Sequence, residues 1–212
     1  MIENFYIGKK KVGKNCPTYF IADIAANHDG NLDKALELIK AAAEAGADAA
    51  KFQHFSAETI VSDYGFKSLG KQLSHQAKWK KSVFEVYKDA SINLEWTQKL
   101  KKESRKAGVT FFTSPYSLEL VDYVDKFIPA YKIGSGDLMN FPLLDHIGKK
   151  RKPIYLSTGM ATLKEITAAV RIIEKTPCPS LTLFHCVSAY PAPASQLNLK
   201  AIKTLKKQFS LP

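Results

Sequence analysis

The sequence predicts an α/β protein whose strands form a TIM-type parallel (β/α) barrel, and three observations carry that expectation. Six short apolar runs of β type alternate with helical patterns, none of the runs keeps a polar face, and nearly every run ends on polar side chains. Strict alternation with strands apolar on both faces implies a parallel sheet covered by helices. In a doubly wound sheet ligand groups gather at a switch point, whereas in a barrel every strand's carboxyl end opens on one shared site. Here the polar ends are Asp23, then Lys51 and Gln53, Thr113 and Ser114, Lys132 with Ser135 and Asp137, Ser157 and Thr158, and His185 followed by Ser188 and Tyr190. The barrel is the better expectation.

The elements follow in order. Residues 1–15 form an N-terminal extension in which "FYIGKKKVG" has the look of a hairpin, and residues 16–212 make up the barrel domain. Strands are expected at 19–25, 49–53, 109–113, 130–133, 153–157 and 181–185, each short, apolar and bounded by turn residues. Leu32, Ala35, Leu36 and Ile39 make one helical stripe, Leu94, Thr97 and Leu100 a second, and Ile166, Ala169, Val170 and Ile173 a third behind a Thr162/Glu165 capping box. Gly46 and Gly108 stand where two helices should stop, the position that favours a left-handed residue. A last helix is expected at about 198–208. That makes about six of the eight βα units a closed barrel needs, so the chain reads as a partial barrel, a fragment or the start of a longer protein.

Composition narrows the function classes. The 212 residues, 45% hydrophobic, suffice for one substantial core. No apolar segment follows a positive start and no eighteen apolar residues run together, so the expectation is a cytoplasmic protein without membrane association. Three widely spaced cysteines, Cys16, Cys178 and Cys186, argue against a disulfide framework or a zinc site. The net charge of +11 is spread over runs such as Lys78/Lys80/Lys81, Lys99/Lys101/Lys102/Arg105/Lys106 and Lys149/Lys150/Arg151/Lys152. Such runs usually mark solvated helix faces, and no nucleic-acid motif accompanies them.

Lys51 and Lys132 are the most informative residues, because each lies inside an apolar strand near its carboxyl end. A buried ammonium needs a paired acid or an anionic ligand. Either each lysine neutralises an acid such as Asp23 or Asp137, or the two, with Ser114, Ser135 and Ser157, hold a ligand carrying phosphate, carboxylate or both. A Schiff-base lysine of the aldolase kind is a third reading. "KIGSGD" (132–137) and "LSTGM" (156–160) fit ligand-binding turns and plain βα turns equally, and become specific only together. His28 and His185 fit hydrogen-bonded structural roles better than metal ligation. The segment 54–82 has no clear period and suits an active-site loop or a packed cover. Tyr190, in "SAYPAP", is a substrate contact or a rigid-turn aromatic.

"IADIAANHDGNLDKALELIKAAAEAGADAAKFQ", "AYKIGSGDLMNFPLL", "PIYLSTGMATLKEI" and "LFHCVSAYPAP" resemble, in order, successive signatures of the sialic acid synthase family, which includes the legionaminate and pseudaminate synthases. The resemblance spans roughly residues 5–209. It implies a barrel enzyme that condenses phosphoenolpyruvate with an N-acetylated amino sugar such as N-acetylmannosamine, releasing phosphate and forming a nine-carbon 2-keto acid. Carried over by motif, Lys51, Ser114, Lys132, Ser135 and Ser157 hold phosphoenolpyruvate, Gln53, Asp137 and Tyr190 face the sugar with Ser188 nearby, and Asp23 orients or deprotonates a water. Asp23 and Asp137 replace the longer glutamates of the family pattern, setting each carboxylate back by about 1.5 Å. The resemblance further implies a divalent metal, manganese or magnesium, whose ligands lie outside this chain, and a homodimer with a C-terminal antifreeze-like domain. These 212 residues alone are then expected to be inactive. A non-catalytic or split anion-binding barrel fragment is the alternative, ahead of a Schiff-base aldolase.

Overall fold

The computed structural model describes residues 4–13, 15–69, 76 and 79–212; Lys78 and part of the segment 54–82 lie outside them. The chain divides into two compact units, residues 20–127 and residues 1–19 with 128–212.

In the first unit β3 (Ile21–Ala25), β4 (Ala49–His54) and β5 (Thr110–Pro115) form a parallel sheet in that order. Helix α1 (Leu32–Glu44) starts at Asn31, whose side chain accepts from the Lys34 amide, and ends at Gly46 with φ of +85°. It buries Ala35, Ile39 and Ala42, packing on β3 and β4 and on α5 (Thr97–Lys106). Gly108, φ +77°, ends α5 in the same way. Helix α6 (Leu118–Asp125) buries Val121 and Val124 beside β5. His54 is fully buried on the helix side, its ring nitrogens 2.7 Å from Thr113 Oγ1 and 2.9 Å from Thr97 Oγ1. Burial pushes its pKa down to about 4, so this imidazole stays neutral and ties α5 to the sheet.

The described part of 54–82 is a packed cover: α2 (Ala57–Ile60) and α3 (Asp63–Ser68) lead to α4 (Val83–Ala90). Phe55 stacks against Tyr87 and Tyr116, and Trp79 against Tyr87. Helix α4 opens with a Ser82/Glu85 capping box that the sequence contained and periodicity alone did not pick out.

In the second unit β1 (Asn4–Ile7) and β2 (Lys10–Gly13) pair as an antiparallel hairpin. A second parallel sheet runs β6 (Tyr131–Ile133), β7 (Ile154–Ser157), β8 (Leu181–Phe184). Hairpin residue Phe5 packs on Tyr155, ring centroids 5.9 Å apart, and Tyr155 packs in turn on Phe184 at 5.6 Å. Helix α7 (Phe141–Gly148) lies against α8 (Leu163–Glu174), which opens with the expected Thr162/Glu165 capping box. The last helix, α9, spans Ala201–Phe209. All six expected βα strands are present and each keeps its parallel neighbour. Of the basic runs, the one at 99–106 lies on α5, whereas Lys80 and Lys81 precede α4 and the run at 149–152 follows α7, with pairs such as Lys149–Asp145 at 2.5 Å and Lys81–Asp89 at 2.6 Å. No helix among the described residues is long and apolar enough to cross a membrane.

Close approach of α7 to the turn after α8 requires a glycine. A Cβ on Gly148 would sit 2.8 Å from Thr176 Cβ and 2.7 Å from its Cγ2, whereas one on Gly136 meets nothing within 4 Å. Gly148→Ala is therefore expected to destabilise the protein by about 1–3 kcal/mol, and Gly136→Ala to stay within about 0.5 kcal/mol. Urea midpoints of the two variants check this; equal midpoints would show that α7 can shift.

Candidate active site

Each parallel sheet carries polar residues at the carboxyl ends of its strands, though Thr113, expected among the site groups, turns to the helix side and meets His54 instead. In the first unit Asp23 and Lys51 are register partners, as are Gln53 and Ser114. Side chains two residues apart share a face, so the four stand together. Lys51 Nζ donates to Asp23 Oδ1 at 2.7 Å. The lysine side chain is the buried member, 6% exposed, and the carboxylate is 60% exposed. The acid that the sequence puts inside an apolar run thus reaches solvent, next to a register shift between Asp23 and Ala25. Gln53 Nε2 donates to Tyr116 Oη at 3.1 Å, and Ser114 is 2% exposed.

In the second unit Lys132 and Tyr155 are register partners, and so are Ser157 and Phe184. Lys132 is buried, donates from Nζ to Ser157 Oγ and to the Ile133 carbonyl at 3.1 Å, and stands over the Phe184 ring, 5.3 Å from its centroid. The pairing with Asp137 that sequence left open is not among these contacts, which are to a hydroxyl, a carbonyl and a ring face. The two glycine-containing turns meet here. Gly159 N–H donates to Ser135 Oγ at 3.0 Å, and a Cβ at 159 would fall 2.8 Å from Ser135 Oγ, 2.5 Å from Ser188 Oγ and 3.1 Å from the Cys186 carbonyl. Ser135 and Ser188 thus converge on Gly159, and Cys186, whose carbonyl borders that glycine, places its Sγ 3.3 Å from Ser157 Oγ, the partner of Lys132. Cys186 and Gly159 are the members that sequence reasoning passed over; their place inside the "HCVSAYP" and "LSTGM" blocks was the available signal. A cluster of hydroxyls, an ammonium and an amide suits an oxyanion.

Asp137 sits on a 3-10 turn, Ser135–Asp137, just after β6. Burial pushes its carboxyl up to about 6, against a smaller opposing pull from the Asn140 side chain. Tyr190 is 76% exposed and precedes a cis Tyr190–Pro191 bond. His28 and His185 have local partners: His28 Nδ1 accepts from the Gly30 amide at 3.1 Å, and His185 Nε2 lies 2.8 Å from the Leu197 carbonyl. Among the described residues no three His, Cys, Asp or Glu side chains gather as metal ligands.

A carboxyl whose folded pKa is raised stabilises the fold most when neutral. Its contribution is whole below the ordinary value near 3.8 and is lost as pH rises through about 6. Asp137→Asn should therefore stabilise the protein at pH 7.5 by about 1–2 kcal/mol relative to wild type, solvent access holding the gain below the full shift. Urea midpoints of both proteins at pH 4.5 and 7.5 measure it. A difference that does not grow with pH would mean that Asp137 does not titrate in this range.

The comparisons with known proteins fit this geometry. The model of the NeuB family matches residues 38–212. An uncharacterized protein of Methanocaldococcus jannaschii is 39% identical over 212 residues, covering 100% of this chain and 58% of its own length. The N,N'-diacetyllegionaminic acid synthase of Campylobacter jejuni is 37% identical over 197 residues, covering 92% of this chain and 58% of its own. The crystal structure of an N-acetylneuraminic acid (sialic acid) synthetase from Leptospira borgpetersenii, in complex with citrate, superposes with a TM-score of 0.84 at 32% identity, over 99% of this chain and 68% of that one. The chain spans about 58% of the length of these curated relatives. With a family match over most of its residues, this chain belongs to the NeuB family.

Proposed function

We propose that this chain carries the phosphoenolpyruvate-binding portion of a synthase that joins phosphoenolpyruvate to an N-acetylated amino sugar, giving a nine-carbon 2-keto sugar acid and phosphate. The observation that carries this reading is that Lys132 bonds to Ser157 while Ser135 and Ser188 converge on Gly159, the two groups joined through Cys186. Relatives named as legionaminic and sialic acid synthases support it, as does the citrate, itself a polycarboxylate, bound to one of them. The six parallel strands are then about six of eight units of a TIM-type barrel, and the full protein is a cytoplasmic homodimer.

In this reading the Lys132 cluster takes charged oxygens of phosphoenolpyruvate. C3 of the enol phosphate forms the new bond to the sugar aldehyde carbon, water adds at C2, and phosphate departs with its bridging oxygen. Asp23, exposed and paired with Lys51, orients or deprotonates that water. Gln53, Asp137 and Tyr190 face the sugar. A carboxyl with a pKa near 6, such as Asp137, can give or take a proton close to neutral pH. A divalent metal would polarise the aldehyde. The described residues do not by themselves supply a ligand set for it, and no step above is routed through it.

Full-length protein supplied with phosphoenolpyruvate, manganese and a panel of N-acetylhexosamines is expected to release phosphate only when an acceptor sugar is present. Release that is independent of sugar, or none from folded metal-loaded protein, would sink the reading. Lys132→Met should lower phosphoenolpyruvate affinity by at least about 100-fold, in keeping with loss of a buried charge-assisted contact. Isothermal titration measures this, and normal affinity would remove Lys132 from the anion site.

A further inference from the structure

We infer that Cys186 is a positioning residue of the anion cluster, whose thiol makes the Ser157 hydroxyl an obligate hydrogen-bond donor to a fully deprotonated oxyanion. This rests on the proposed binding of phosphoenolpyruvate and names the device by which the site selects its charged oxygens. A serine hydroxyl has one hydrogen to give and two lone pairs to fill. Ser157, 3% exposed, receives Lys132 Nζ–H at its Oγ, and receives the Cys186 S–H at 3.3 Å. With both lone pairs filled from the protein, the hydroxyl hydrogen is left for a ligand. Sulfur is a weak acceptor, so the thiol gives its own hydrogen without competing for the serine's.

At Ser135 the Gly159 amide donates to Oγ at 3.0 Å and fills one of its two lone pairs. Cys186 enters this half of the cluster through its backbone, its carbonyl being 3.1 Å from where a Gly159 Cβ would stand. One residue therefore fixes the polarity of one serine with its side chain and crowds the glycine turn of the other with its main chain. A site in which the Ser157 hydroxyl is committed to donate takes carboxylate or dianionic phosphate there and rejects a group that arrives with its own hydrogen.

The test uses the full-length protein, with phosphoenolpyruvate as the titrant. Cys186→Ala should weaken binding about threefold to tenfold, the usual range for loss of one hydrogen bond, and Cys186→Ser, which keeps a donor, should return to within about threefold of wild type. The infrared S–H stretch of Cys186, isolated by subtracting the Cys186→Ala spectrum, should lie below that of a free thiol and move back in Ser157→Ala. Unchanged affinity in Cys186→Ala beside a weakened Lys132→Met, or a serine variant as weak as the alanine one, would overturn the role of the thiol. So would an S–H stretch at the free-thiol position, whatever the affinity. Failure of the wild-type protein to bind phosphoenolpyruvate would instead overturn the ligand reading, whatever the S–H stretch.

Discussion

Burying an ammonium at the carboxyl end of a parallel strand constrains everything around it. A lysine taken out of water without compensation costs several kcal/mol, so the surroundings must return what hydration supplied. The two sheets meet this demand differently. Lys51 is held by the exposed carboxylate of its register partner Asp23. Lys132 meets a serine hydroxyl, a backbone carbonyl and the face of Phe184. The first arrangement closes a charge pair next to solvent; the second sets an ammonium among buried dipoles and a ring.

The apolar framework holds those groups in place. Beneath the Lys132 cluster, the rings of Phe5, Tyr155 and Phe184 fill the sheet face, so the hairpin that opens the chain takes part in building the floor of the cluster. In the other unit the neutral His54 bridges Thr113 on a strand and Thr97 on a helix, joining sheet and cover without a charge. Aromatic packing of Phe55, Trp79 and Tyr87 gives the described part of the segment after β4 a core of its own. Rigid supports of this kind are what a binding cluster needs if its hydroxyls are to keep fixed directions.

Much of this was legible in the chain. Short apolar runs bounded by turn residues, glycines at helix ends and the Thr162/Glu165 pair have local physical causes, so strands, stops and a cap could be read directly. The lysines at positions 51 and 132 stood out because ammonium groups are rare in apolar strands. Helices α2 to α4 escaped notice, since their short lengths leave too few turns for a period, and their aromatic residues find partners only after folding. Cys186 escaped because an isolated thiol has no pattern until a hydroxyl is brought beside it.

The sequence by itself determined the βα order, the strand-end polarity, the family motifs and the pair of buried lysines, because each depends on residues close together along the chain. Tertiary structure alone decided which groups answer those lysines: that Asp23 reaches solvent while Lys51 does not, that Lys132 meets Ser157, and that turns 132–137 and 156–160 close around Gly159. Those outcomes depend on strand register and on turns converging from more than twenty positions away. Register and convergence are set by packing of the whole sheet, which no local window contains.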